Sequence, residues 1–265
     1  MATSKNLIPA QRRQRILEYL QVHRSVRSTV LRDLLDASDA TIRRDLEWLE
    51  QRGLVVRSHG GATLIQRMQQ EAFYNTSEQI HPREKALIGQ AAAGLIEDNE
   101  TVFLNNGTTA TEVMLALVQR KELQGITIFT NNVSAVLAAQ DAPFHVILLG
   151  GAFRPRSNSL VGRFATETLR QVYAHKVILG VDGVGLKHGC TSPISLEAEI
   201  GRLMIDRCLG PTLVVADHSK WGVIAQYQVA RMDQVDMLIS DSGFPPESRN
   251  ALENTGVELR IADAD

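Results

Sequence analysis

From residue 83 onward, short apolar runs alternate with amphipathic stretches of helical period, and this alternation restricts the fold more than any other feature of the chain. Strands are predicted at 101–104, 126–130, 145–149, 177–181, 213–216, 237–240 and 257–261, and helices at 83–96, 109–119, 133–140, 164–173, 196–208 and 246–254. Strands separated by helices of this length describe an α/β fold with a mostly parallel sheet. No stretch approaches the roughly 18 to 20 apolar residues of a membrane span. Residues 1–6 are polar and lack the apolar core of a signal peptide. Cys190 and Cys208 have no ligand-like spacing, which argues against structural zinc and suits a reducing, cytoplasmic location.

The first 65 residues follow a different pattern. Ile16, Leu17 and Leu20 recur at helical spacing after Pro9. Thr29 is expected to cap a second, short helix that turns Leu31, Leu34 and Leu35 inward. After a tight turn at Ala37, Ser38 is expected to cap a third helix, with Asp39 favoured by the helix dipole in its first turn. Ile42, Leu46 and Leu49 share the inner face of that helix, so Thr41, Arg43, Arg44 and Trp48 point elsewhere. Two short helices joined by a turn, the second with outward arginines near its start, form a helix-turn-helix. Gly53 then ends the helix, and runs at 54–57 and 62–65 flank the turn Ser58-His59-Gly60-Gly61, a hairpin with Arg57 and His59 near its tip.

Charge separates the same two regions. Residues 1–62 hold 11 Lys/Arg, ten of them arginine, against seven acids, so this head carries +4 and the remaining chain −6 of the net −2. A basic head on an acidic body points to a polyanion partner, and arginine forks match phosphates and guanine edges. Residues 66–82, polar and rich in amides, are predicted to be a partly helical linker between a domain at 1–65 and one at 83–265.

In parallel sheets, ligands bind beyond the carboxyl ends of the strands, and here those ends are small and polar. They carry Asn105-Asn106-Gly107-Thr108-Thr109, Thr130-Asn131-Asn132, Gly150-Gly151 with Arg154, Asp182-Gly183, and Asp217-His218-Ser219-Lys220. Backbone N–H groups, two hydroxyls and a helix N-terminus at Gly107, Thr108 and Thr109 suit a phosphate. Each segment alone reads as an ordinary turn; five together predict an anionic polyol ligand.

The run Thr41-Ile42-Arg43-Arg44-Asp45-Leu46, with Leu49-Glu50, Gly53 and Arg57-Ser58-His59-Gly60-Gly61-Ala62, resembles the DNA-binding head of DeoR-family bacterial transcription regulators. Arg12-Arg13-Gln14-Arg15-Ile16-Leu17 resembles that family's opening helix, and Ala37 stands where the family usually has valine. The body is similar to the DeoR effector domain at Gly107-Thr108-Thr109, Thr130-Asn131, Leu149-Gly150-Gly151, Asp182-Gly183, Gly189 with Thr191, Glu197, and Asp217-His218-Ser219-Lys220. The family often has aspartate where Asn105 stands and a small residue at Asn106. The resemblance implies a winged helix-turn-helix followed by a domain similar in fold to ribose-5-phosphate isomerase. It implies a repressor that binds double-stranded operator DNA as a homodimer or homotetramer and senses a phosphorylated sugar.

On that resemblance Ser38, Thr41, Arg43, Arg44, Arg57 and His59 meet DNA. Asn106, Gly107, Thr108 and Thr109 hold the phosphate, with Lys220 and Arg154 as charge partners. Asn131, Asp182 and Glu197 meet sugar hydroxyls, and Gly150 and Gly151 complete the site. Read without the family, Lys220 is equally a solvated lysine and Glu197 a surface carboxylate paired with Arg202. The rival class is an enzyme, a sugar-phosphate isomerase with a DNA-binding appendage, for which Asp182 is the conceivable base. A nicotinamide oxidoreductase is excluded by the missing G-x-G-x-x-G, and no metal or other cofactor is expected from scattered histidines.

Overall fold

A computed structural model describes residues 7–58, 60–68 and 71–263. The head runs α1 (Pro9–His23), β1 (Ser25–Arg27), α2 (Ser28–Leu35), α3 (Asp39–Gln51), β2 (Val55–Ser58) and β3 (Gly61–Leu64). Pro9 at the first turn fits because its missing N–H would be unsatisfied there anyway. Ile16, Leu20, Leu31, Leu35, Ile42, Leu46, Leu49 and Val55 form the core. The three strands form a sheet in the order β1-β3-β2, the wing.

Two local expectations fail here. Arg27, not Thr29, stands at the start of α2, because β1 runs directly into that helix. Leu34 is 47% exposed, since an eight-residue helix meets the core through Leu31 and Leu35 alone.

The segment expected to be a linker contributes β4 (Gln66–Arg67) and α4 (Tyr74–Glu78). The second domain continues with α5 (Pro82–Ala93), β5 (Thr101–Leu104), α6 (Thr108–Gln119), β6 (Thr127–Thr130), α7 (Val133–Ala138), β7 (His145–Leu148), β8 (Ala152–Arg154), β9 (Ser159–Val161) and α8 (Arg163–Leu169). Then come β10 (Lys176–Gly180), β11 (Gly183–Gly185), β12 (Gly189–Ser192), α9 (Ser195–Asp206), β13 (Thr212–Val215), β14 (Val223–Ile224), β15 (Tyr227–Ala230), β16 (Met237–Asp241), α10 (Pro246–Glu253) and β17 (Glu258–Ala262).

Seven strands form one parallel sheet in the order β17-β16-β13-β10-β5-β6-β7. Its central strands are apolar on both faces because each face is covered. Ile88, Met114 and Leu117 pack on one side, and Leu169, Ile200 and Met204 on the other. Chain order reverses between β5 and β10, where ligands gather in such folds.

Smaller sheets escape the sequence pattern. The hairpin β8–β9, the antiparallel sheet β11-β12-β15 and the parallel pair β14-β4 use strands of two to four residues. The pair β14-β4 joins the segment after the head to the C-terminal domain. Helix α10 also packs on the wing, with Thr63 Oγ1 3.3 Å from Ser248 Oγ. Among the described residues, no helix is long and apolar enough to cross a membrane.

Candidate functional site

Helix α3 begins at the Ser38 cap, whose hydroxyl accepts from Thr41 N–H at 3.2 Å and lies 2.8 Å from Thr41 Oγ1. The side chains beyond the cap are arranged by charge. Arg43, 75% exposed, pairs with Glu47 one turn on at 3.1 Å. Arg57 reaches back from the wing to the same Glu47 at 3.2 Å and to Glu50 at 3.7 Å. The hydrogen bond from Arg43 holds the Glu47 carboxyl below its ordinary range despite some opposing burial. Arg44 is exposed and makes no ion pair among the described residues. His59 lies outside them.

Arg12 and Arg13 both donate to the buried Asp45, Arg13 at 2.8 Å. The Arg13 guanidinium also lies 4.2 Å from the Trp48 ring centre, and that of Arg52 lies 3.5 Å from it. The basic count of the head therefore overstates its outward charge. Arg12 and Arg13 clamp α1 to α3, and Trp48 is half-buried between two guanidinium groups.

In the C-terminal domain a cleft opens at the β5/β10 switch point. Asn105, Asn106, Gly107, Thr108 and Thr109 line it from the end of β5, and Gly180, Val181 and Asp182 from the end of β10. Gly107 precedes α6 with φ 125°, a region L side chains rarely adopt, so glycine lets the loop turn onto the helix N-terminus. Asn105 locks the two strand ends together: Gly180 N–H donates to its Oδ1 at 2.7 Å, and its Nδ2 donates to Gly180 O at 2.9 Å. An aspartate there would lose the second bond. Asn132 donates to Gly107 O at 3.1 Å and to Thr111 Oγ1 at 3.0 Å, buttressing the loop from β6.

The opposite wall is acidic. Glu197, 7% exposed, accepts from Arg154 Nε and Ser159 Oγ, each at 3.2 Å, and not from Arg202, which donates to Gln228 O. Burial pushes the Asp182 carboxyl up to about 6, against the pull of Lys220, with Glu197 and Glu71 adding to the rise. Among the described residues, Lys220 is the single cationic side chain lining the cleft. It sits on a short 3-10 turn, residues His218–Lys220, which Asp217 caps. His218 anchors this turn from the far side through Asp241, with Nδ1 and Oδ2 2.7 Å apart.

Gly150, Gly151, Asn131 and Arg154 stand outside the lining. Gly151, at φ 144°, packs against Val161 O, where a Cβ would come within 2.4 Å, so it shapes the β8–β9 hairpin. Asn131 donates to Leu160 O at 3.1 Å and to Asn106 Oδ1 at 3.4 Å, supporting the loop from behind. Arg154 reaches the cleft only through its carboxylate partners.

Residues 80–242 match the family described as DeoR C terminal sensor domain, and residues 12–68 match the DeoR-like helix-turn-helix domain. The chain belongs to the DeoR family. Among curated relatives, the HTH-type transcriptional regulator GlpR of Haloferax volcanii is 33% identical over 255 residues, 96% of this chain and 98% of that protein. The HTH-type transcriptional repressor GlcR of Bacillus subtilis is 31% identical, over 94% of this chain and 95% of its own. A solved ribose-5-phosphate isomerase in complex with phospho-erythronic acid aligns at TM-score 0.40 and 18% identity, covering 53% of this chain and 54% of that one. The protein is thus a DNA-binding transcriptional regulator, with a helix-turn-helix head and a sensor domain.

In this DeoR-family sensor the cleft also takes Glu71, Ala72, Tyr74 and Ser77 from the segment that joins head to sensor. That segment carries no motif, and its sequence is marked only by a polar, amide-rich composition. Tyr74 is buried, which raises its phenol pKa, and donates to Thr111 Oγ1 at 2.8 Å. Thr111 Oγ1 in turn donates to Gly107 O at 3.1 Å. The joining segment therefore bonds to the loop that opens α6.

Proposed function

We propose that the protein is a cytoplasmic repressor of carbohydrate-metabolism genes whose operator binding changes when a phosphorylated sugar fills the sensor cleft. The observation that carries this reading is the division of the cleft into two chemistries. Gly107, Thr108 and Thr109 present backbone N–H groups and hydroxyls at the N-terminus of α6, with Lys220 on the same cleft, a seat for a phosphate. Asp182 and Glu197 supply acceptors for hydroxyls. The ligand is sensed and not turned over, because binding alone suffices to shift an equilibrium between states of different affinity. Domain limits follow as a head at 1–65, a joining segment at 66–82 and a sensor at 83–265.

Ser38, Thr41, Arg43 and Arg44 face the major groove in this reading, and Arg57 and His59 approach the backbone. One head reads a short site, so two or four copies act together on repeated half-sites. The exposed sheet edge β7 supports self-association: Ile147, Leu148, Phe153 and Phe164 lie around it, 38 to 72% exposed.

The test is fluorescence anisotropy on labelled DNA from the region upstream of the protein's own gene, titrated with a panel of pentose and hexose phosphates. Specific binding altered by one of them is expected. Absence of specific binding at low salt overturns the regulator mechanism, and product formed from any of the sugar phosphates favours the isomerase class.

A further inference from the structure

The acidic wall of the cleft includes one carboxylate that does not belong to the sensor fold. Glu71 lies between β4 and α4, on the segment leading from the head, and its side chain is 12% exposed. Arg154 Nη2 donates to its Oε2 at 2.7 Å, and Arg156 Nε donates to its backbone carbonyl at 2.9 Å. Its other oxygen, Oε1, is buried without a hydrogen-bond partner among the described residues. A buried acceptor of this kind is costly unless a donor arrives, and carboxylate oxygens are strong acceptors of hydroxyl protons. The residue lines the same cleft as Thr108, Asp182, Glu197 and Lys220. A hydroxyl on a molecule seated in that cleft supplies such a donor once the carboxylate turns Oε1 toward it.

We propose that Glu71 is a specificity-determining residue of the sensor, accepting a hydrogen bond from a hydroxyl of the bound polyol phosphate through Oε1. This rests on the ligand class proposed above. Its consequence is structural coupling. Of the carboxylates on this wall, Glu197 and Asp182 are fixed to the sensor by α9 and by the end of β10, whereas Glu71 belongs to the segment that carries the head. A ligand that bonds to Glu71 tightens that segment on the sensor at its backbone anchors. Beside the β4–β14 pairing these include Met68 N–H to Ile224 O at 2.9 Å and Tyr74 N–H to Arg156 O at 2.7 Å. Occupancy is thereby reported along the covalent path to the wing.

The experiment compares inorganic phosphate with the sugar phosphates of the panel by calorimetric titration of the full-length protein and its Glu71→Gln and Glu71→Ala variants. Both variants are expected to lose at least about tenfold in affinity for the preferred sugar phosphate, the scale of one hydrogen bond to a charged group. Affinity for inorganic phosphate, which has no polyol hydroxyl to donate, is expected to be unchanged or higher. Amide exchange at Met68 and Tyr74 is expected to slow when sugar phosphate binds the wild type, and not when inorganic phosphate binds. Equal affinity of wild type and variants for the sugar phosphate overturns the role of Glu71 alone and leaves the ligand class standing. Tighter binding of both anions by the variants also overturns it, because Glu71 would then be a competitor that the ligand displaces. If neither probe binds the wild type, the ligand class fails and the role of Glu71 fails with it. Unchanged thermal unfolding of the sensor in Glu71→Gln separates lost recognition from lost structure.

Discussion

Replacing Asp45 by alanine tests whether the head is held together by its buried charges. Asp45 is 1% exposed and accepts from two arginines of α1, whose side chains are 13% and 21% exposed. Removing one partner of a buried ion pair costs about 3 to 5 kcal/mol, since the remaining charge is left without compensation. Arg12 and Arg13 keep some access to water and relax toward it, so the lower end, about 3 kcal/mol, applies. In a domain of 60 to 100 residues each kcal/mol moves the midpoint by about 4 to 8 °C, which gives a fall of roughly 12 to 24 °C for the head. The chain has two tryptophans, Trp48 in the head and Trp221 in the sensor. Fluorescence of Trp48 in a Trp221→Phe background follows the head, and Trp221 in a Trp48→Phe background follows the sensor. The head transition is expected to drop by that amount while the sensor transition stays within about 2 °C, a fraction of a kcal/mol. A head shift below about 4 °C, or less than 1 kcal/mol, refutes the clamp. Arg12 and Arg13 would then be surface cations, as their sequence alone suggests.

Arg44→Ala is expected to cost about 1 to 3 kcal/mol at one operator position and little on random DNA. Equal losses on both, measured by anisotropy, would make Arg44 a phosphate contact. Asp182 is neutral below about 6 and charged above it, so sulfate, whose own charge is constant there, is expected to bind more weakly as pH rises through that value. Asp182→Asn is expected to flatten the profile, and a persisting step would assign the titration elsewhere. Asn105→Asp exchanges a donor to Gly180 O for a carboxylate, and is expected to destabilise the sensor by about 1 to 3 kcal/mol in urea unfolding. Unchanged stability would mean that the β5 and β10 ends do not depend on this amide.

The seven strands of the main sheet, the six helices between them and the helices of the head were legible in the sequence, because periodicity and turn chemistry are local. Strand ends shifted by a residue or two, as at Lys176–Gly180 against the expected 177–181. The polar strand ends were legible in part: Asn106 to Thr109, Asp182 and Lys220 line the cleft at the switch point, whereas Asn131, Gly150, Gly151 and Arg154 stand outside it. What the sequence left open was decided by pairings between distant residues. Strands as short as Val223–Ile224 have no period to read and exist only because β4 lies beside them. Which arginines of the head face outward depended on Asp45, 33 positions from Arg12. Glu71 sits in a stretch without pattern, and it joins the cleft because Arg154, 83 residues away, holds its carboxylate there. Local chemistry determines elements and their ends, whereas ion pairing and burial, which decide what each charge is free to do, arise only when the chain has closed on itself.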